Sequence, residues 1–402
     1  MKLRHLALLP LLPLAALAAD KFTVTVTHSL DIARPSEMIA VPWTEVNKAM
    51  PGALLQKITV RDASGRALPY QVTNVAPLAK DPKGEGLAYG ELLFQHDFAA
   101  GEKSATFTVE RSNDVTQPFP VKAFARYVPE RLDDFAWEND RLGHRTYGPA
   151  LAAPDPTKKK EVLVTSGLDI WCKRVEYPIV DRWYNKGHDH YHKDEGEGMD
   201  MYQVGTTRGC GGTGVWDGSK LFVGQNYTSW KVIANGPIRA VFELTYAPWD
   251  ANGVKVSEVK RFIVDAGHNL DVIESTFTFE GAPELTVAVG LNKNSGDKGQ
   301  AGQSEITTKQ PEGWLAQWEL QKSNGELGTA IIIPGAEMQG FADDNVNRLV
   351  LAKAKSGQPV RYLVGAGWTR AGHFTSRAAW EAYVAAEAAR ARSPIKVTVA
   401  AQ

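Results

Sequence analysis

The chain reads as all-β: a small N-terminal β-sandwich, then a large sandwich of long strands, with one C-terminal helix. Three observations predict this. Apolar and polar side chains alternate with a period of two along most of the sequence, the pattern of strands with one buried face. Turns carrying Gly, Asn or Pro separate these runs at regular spacing. A single Ala- and Glu-rich stretch near the end breaks the alternation.

The elements follow in order. Lys2, Arg4 and His5 precede an apolar run, Leu6 to Leu14, and Ala16-Leu17-Ala18 offers small residues for cleavage. Residues 1–19 therefore read as a secretory signal, too short for a membrane span. A periplasmic or secreted bacterial protein is expected. Residues 20–125 form the predicted N-terminal sandwich. Its strands are Phe22 to Thr27, Leu55 to Val60, Leu92 to Phe94 and Ala105 to Val109, with a turn at Asp62-Ala63-Ser64-Gly65. This part has few reactive groups, and a packing or spacer role suits it. Residues 126–402 form the larger sandwich. Predicted strands there are Ser229 to Ile233, Ile238 to Tyr246, Val254 to Val264, Asp271 to Phe279 and Leu285 to Leu291. Trp314 to Leu320, Thr329 to Ile333, Arg361 to Ala366 and Lys396 to Val399 complete them. Asn235-Gly236-Pro237, Asn252-Gly253 and Asp265-Ala266-Gly267 supply turns. Ser376 is the predicted N-cap of a helix over Arg377 to Arg392, with Trp380, Tyr383 and Val384 as its buried stripe. Ser393-Pro394 stops it.

The 402 residues carry 45 basic and 46 acidic side chains. Near-cancellation of charge predicts no nucleic-acid partner and no attraction to a membrane surface. Eleven Trp and twelve Tyr are present, several between Trp137 and Trp230. Aromatic rings stack on sugar faces, although most Trp residues in any protein serve the core. Cys172 and Cys210 match no zinc-ribbon or Cys-x-x-Cys pattern; a disulfide and two separate buried thiols are both compatible with an exported chain.

The densest chemistry lies in Gly187-His188-Asp189-His190-Tyr191-His192-Lys193-Asp194-Glu195-Gly196-Glu197-Gly198-Met199-Asp200. Read as extended, it places His188, His190, His192 and Asp194 on one face. Such a row suits a divalent metal, zinc or calcium, or proton transfer with no cofactor. A solvated polar loop is the plain alternative. Trp183 and Tyr184 directly precede this segment and are expected to line the same cavity. A second cluster, Trp137-Glu138-Asn139-Asp140-Arg141, combines an aromatic ring, an amide and a guanidinium fork suited to a sugar carboxylate. A loop-closing ion pair is the structural alternative. His144, Arg145 and Tyr147 follow it. Arg208-Gly209-Cys210-Gly211-Gly212-Thr213-Gly214 lacks the Gly-Lys-Ser/Thr ending of a phosphate loop. Its glycines point to a backbone that closely approaches a ligand or another strand; Arg208 is a candidate to neutralise an acidic ligand, and an ordinary tight turn is the equal alternative.

Asn235-Gly236-Pro237-Ile238-Arg239-Ala240 and Val259 to Leu270 resemble the sheet pattern of galactose-mutarotase-like β-supersandwiches. Trp137 to Arg141, Ser166 to Trp171, Tyr191-His192-x-Asp194-x-Gly196-Glu197-Gly198-x-Asp200 and Gly365-Ala366-Gly367-Trp368 resemble the bacterial family called domain of unknown function 4861. The resemblance covers most of the chain after residue 19. It implies an association with breakdown of pectin-like, uronate-containing polysaccharides, and no particular reaction.

The expected function is that of an exported enzyme on an acidic oligosaccharide or polysaccharide. β-Elimination by a lyase is the leading chemistry, and hydrolysis using Asp194, Glu197 or Asp200 is the variant. Trp137, Asn139, Arg141, Trp183, Arg208 and Asp200 are the expected substrate-binding residues. His192 or Tyr191 is the expected base, and His190, Tyr184 or Glu197 the expected acid. A non-catalytic glycan-binding or accessory protein of polysaccharide utilisation is the alternative.

Overall fold

The computed structural model describes residues 20–74, 90–157, 159, 161–296 and 304–401. The expected signal, residues 1–19, lies outside them. The described chain is predominantly β, with every named sheet antiparallel. No helix among the described residues is long and apolar enough to cross a membrane.

The N-terminal sandwich faces a five-stranded sheet against a three-stranded one. Alternation makes its core: Phe22, Val24 and Val26 on one strand meet Ile39, Val41, Phe94, Phe107 and Val109. One edge strand of the larger sheet is Lys396–Ala401, which pairs residue by residue with Lys21–Thr27. The sequence pattern had grouped 396–399 with the larger sandwich. Strand character is local, but the partner strand is not, so the first and last strands of the described residues pair in one sheet.

The larger sandwich is built on an eight-stranded sheet. From one edge it runs through Tyr227–Ala234, Arg239–Ala251, Val254–Asp265, Leu270–Phe279, Pro359–Trp368, Glu326–Ile332, Trp314–Leu320 and Ser304–Lys309. Its inner face, including Phe242, Phe262, Phe277 and Tyr362, packs on a second sheet containing Cys210–Trp216, Leu285–Asn292 and Asn347–Ala354. This is the expected large sandwich. Cys210–Trp216 explains the glycine run. A Cβ on Gly211, at φ +104°, would lie 2.7 Å from Cγ1 of Val364, so the close approach is to another strand. Both cysteines are buried free thiols.

Helix Arg377–Arg392 matches its predicted bounds, and the Ser376 side chain accepts from Ala379 N–H. Trp380, Val384 and Ala388 cover the outer face of the large sheet over Trp314, Ala330 and Ile332.

A smaller sheet positions the site: Phe124–Val128, Asp134–Glu138, Leu142–Thr146, Asp169–Lys173 and Gly198–Asp200. Its two faces differ in kind. Phe135, Trp137, Leu142, Ile170, Cys172 and Met199 join the main apolar core. Asp134, Ala136, Glu138, Arg145, Asp169, Trp171, Lys173 and Asp200 belong to the other face by strand alternation and register. The short helices Val180–Lys186 and His188–Tyr191 cover that face, burying Trp183 and Tyr191 with Trp171.

Candidate functional site

The charged face holds two buried ion clusters with Trp171 between them. At one end the Lys173 ammonium donates to Glu138 Oε2 at 2.7 Å, while Glu138 also accepts from Ile179 N–H and Val180 N–H. This pair anchors the helical cover. At the other end Arg145 donates to Asp169 at 2.8 Å and to Asp200 at 3.0 Å, and lies 3.5 Å from Asp134. Tyr147 Oη donates to Asp169 at 3.0 Å and Tyr184 Oη to Asp134 at 3.1 Å. The Tyr191 hydroxyl receives Arg145 Nη1 at 3.3 Å and Arg131 Nε at 3.4 Å.

This second cluster opens onto a cleft of about 640 Å³. Arg131, Arg145, Tyr147, Glu161, His188, His192, Asp200 and Tyr202 give it polar walls; Leu163, Met199, Met201 and Val204 give it an apolar side. Burial pushes the Asp134 carboxyl up to about 6, against the pull of Arg145. Asp169 is raised by burial, again opposed by Arg145. Burial and the neighbouring Asp169 charge raise Asp200 well above the usual range. Burial lowers His192, with a partial offset from the Asp200 carbonyl.

The histidine row is not extended. His188–Tyr191 is a helical turn, and Gly187, at φ +94°, lets it fold back from the preceding helix. Helical spacing brings together residues four apart. His188 and His192 therefore meet, with Nε2 atoms 3.2 Å apart. His190 turns away to Glu195, 2.8 Å from its Nδ1. Asp194 is held by Arg174 at 3.1 Å and Arg370 at 3.6 Å. The four expected metal ligands do not converge. Among the described residues no group of three or more His, Cys, Asp or Glu is gathered to hold a metal ion.

Strand alternation also divides the Trp137 to Arg141 cluster, which does not line the cleft. Trp137 points to the apolar side, stacked on His144 and donating to Asp271 at 2.8 Å. Asn139 closes its own hairpin by accepting from Arg141 N–H and Leu142 N–H. Arg141 lies 2.6 Å from His373 Nε2 and 3.8 Å from Glu176. Arg208 is buried, donating to Ser166 Oγ at 2.8 Å, and burial lowers it to about 10. Trp183 is buried and donates to Glu197 at 3.2 Å. Glu197 also receives Arg182 and Tyr177; burial pushes its carboxyl up, but these donors hold it below its ordinary value. The expected aromatic platform is mostly core: Trp137, Trp171 and Trp183 are at most 1% exposed, while Trp230 is 44% exposed and stacks on Tyr127.

Thus His192 and Asp200, with His188 from the expected metal set, line the cleft, and Tyr191 and Tyr184 brace its charged floor. Sequence reasoning missed Arg131, Asp134 and the central place of Arg145. The local signal was the alternation Asp134-x-x-x-Glu138 against Gly143-x-Arg145, which puts charge on one face of paired strands. A second cleft, of about 630 Å³, lies between the N-terminal sandwich, the large sheet and the C-terminal helix.

A family model described as a domain of unknown function, DUF4861, matches residues 26–397. The chain belongs to this family. A protein named "Uncharacterized protein P7" from Formosa agariphila is 31% identical over 385 residues, spanning 94% of this chain and 93% of that protein. Two solved structures are also similar. One is an alpha-mannosidase from Enterococcus faecalis V583, at TM-score 0.46 and 9% identity, covering 96% of this chain and 47% of that one. The other is a glycosyl hydrolase family 38 protein from Enterococcus faecalis, at TM-score 0.45 and 9% identity, covering 95% and 48%. The chain spans about half the length of these two solved proteins.

Proposed function

We propose that this chain is an exported carbohydrate-active enzyme that cleaves uronate-containing, pectin-like glycans by β-elimination in the cleft over Arg145. One observation carries the reading: His192 lines one cleft with two guanidinium groups, those of Arg131 and Arg145. Its Nδ1 lies 2.9 Å from the Asp200 carbonyl oxygen, so the Nδ1–H donates there and the lone pair is on Nε2. Burial keeps the ring neutral, the form that can accept a proton. Arg131 and Arg145 line the same cleft.

Elimination from a uronate needs these parts. A cation must draw charge into the sugar carboxylate so that the proton beside it becomes acidic. Arg131 suits this better than Arg145. Its side chain is 21% exposed and paired at 3.3 Å with the more exposed Glu161, whereas Arg145 is consumed by three aspartates. A base must then take the proton, and His192 has the accessible lone pair. His188 lies against that atom but is 56% exposed, so it can swing aside. Hydrolysis is less well served, because Asp194 and Glu197 are held by arginines outside the cleft.

The test incubates the protein with pectin, ulvan, alginate and their oligosaccharides. Ultraviolet absorbance from an unsaturated uronate is the expected result. New reducing ends without that absorbance would replace elimination by hydrolysis. Binding without product would favour the glycan-binding reading. His192→Ala should lower kcat by about 10²–10⁴-fold with an unchanged melting temperature. A folded variant with full kcat removes His192 as the base.

A further inference from the structure

The more accessible cation of the cleft, Arg131, stands on an unusual turn. Strands Phe124–Val128 and Asp134–Glu138 pair as a hairpin, and residues 129–133 connect them. Arg131 ends a single 3-10 turn. The next two residues, Leu132 at φ +53° and Asp133 at φ +64°, are both left-handed. Non-glycine residues rarely adopt that conformation singly, and a bulky leucine beside a second such residue is strained. A hairpin connection of this length closes without such strain, and glycine would relieve it.

Strain of this kind persists only where the surroundings over-determine the backbone. Three elements do so here. Tyr127 Oη donates to one carboxylate oxygen of Asp133, and Ala150 N–H donates to the other at 3.1 Å. Tyr227 Oη donates to the Asp133 carbonyl at 2.5 Å, and Leu151 N–H to the Leu132 carbonyl at 3.1 Å. The Gly148 backbone packs so closely that a Cβ there would lie 1.8 Å from the Asp133 carbonyl oxygen. The near side of the turn is tied as well, because Arg126 donates to Glu130 at 2.6 Å and to Asp181 at 2.5 Å. Arg126 and Tyr127 are neighbours on one strand, so they grip the turn from opposite faces.

The Arg131 side chain itself makes only long contacts, 3.4 Å to Tyr191 Oη and 3.3 Å to Glu161. Its backbone therefore decides where the guanidinium reaches in the cleft. We infer that Asp133 is a positioning residue: held by Tyr127, Tyr227 and Ala150, it locks the left-handed turn that fixes the Arg131 guanidinium in the cleft. The consequence for turnover rests on the carboxylate-binding role proposed above for Arg131. A guanidinium that must meet a sugar carboxylate beside the base loses most of its effect when it is misplaced by even 1 Å or so.

The main variant is Asp133→Ala, which removes both carboxylate bonds and disfavours the left-handed conformation. Its crystal structure should show the Arg131 guanidinium displaced from Tyr191. On a pectin oligosaccharide kcat/KM should fall by about 10–10²-fold. Asp133→Asn tolerates the left-handed conformation and keeps an acceptor oxygen, so it should recover most of that loss. In an Arg131→Gln background Asp133→Ala should cause no further loss, because the turn acts through the cation. A turn that only supports the fold would instead add its full loss to that of Arg131→Gln. That additive result overturns the inference. So does an unmoved Arg131 in the variant crystal, whether or not a substrate is known. If the wild type turns over no acidic glycan while Arg131 is displaced, the elimination reading fails and the positioning role stands. Thermal melting is the folding control. If Asp133→Ala does not fold, Tyr127→Phe deletes one clamping hydroxyl outside the cleft and is read by the same outcomes, with a smaller expected loss.

Discussion

The two clefts have nearly equal volumes, about 640 and about 630 Å³, yet their charges are arranged in opposite ways. The one between the N-terminal sandwich and the large sheet is lined by five arginines, Arg34, Arg239, Arg261, Arg361 and Arg390, and by five carboxylates, Glu37, Glu91, Asp265, Glu274 and Glu387. Most sit in close pairs: Arg34–Glu37 at 2.9 Å, and Arg390–Glu387, Arg239–Asp265 and Arg361–Glu274 each at 2.6 Å. The cleft over Arg145 has Arg131 and Arg145 against Glu161 and Asp200, with Asp134 and Asp169 buried behind them. Matched charges hold two layers together. Unmatched ones shift the protonation of the carboxylates buried beside them. Cleft size does not separate the two; charge balance does.

The largest expected effect tests the unmatched cleft. Arg145→Leu strands three buried carboxylates and should cost about 3–5 kcal/mol, read as a lower urea midpoint, together with loss of turnover. A variant of wild-type stability would show that the aspartates do not depend on the guanidinium. In the matched cleft, Arg390→Met should cost about 3 kcal/mol, the low end because Arg34 remains beside Glu37. Turnover should be unchanged at temperatures where the variant is folded. Selective loss of activity there would erase the functional contrast.

A smaller effect appears in the pH dependence. Asp134 is raised from 3.8 to about 6. Below the unfolded value both states carry the proton. Above it the unfolded chain releases its proton first, so this group makes stability fall as pH rises through the window. Asp134→Asn mimics the protonated form and removes that slope. Its stability relative to wild type should rise by about 2–3 kcal/mol between about pH 4 and about pH 7. His144, lowered by burial to about 4, titrates with the opposite sign, but both chains retain it. Parallel curves would mean that Asp134 is ionised throughout. The smallest effect belongs to the matched side. Ser376→Ala removes the cap of the helix that supplies Glu387 and Arg390, and should cost about 1 kcal/mol, measured by thermal melting, with no change at the other cleft.

Local pattern determined much of this molecule. Two-residue alternation located Trp314–Leu320 and nearly all of Val254–Asp265, and Ser376 with Ser393-Pro394 located the helix, because each signal lies within a few residues. The missed strands Asp134–Glu138 and Leu142–Thr146 are short and buried on both faces, so no apolar alternation marks them. Composition also pointed to residues 188–200 as the reactive segment, and His192 and Asp200 do line the cleft. It could not tell an extended row from a helical turn. Over so few residues the covering contact of Tyr191 on Trp171 decides the conformation, and that contact spans distant sequence. Nor could it reveal that Asp134, Asp169 and Asp200 share Arg145, or that Lys396–Ala401 closes the first sheet. Strand pairing is set by which apolar faces must be buried together, and only the folded chain brings those faces into register.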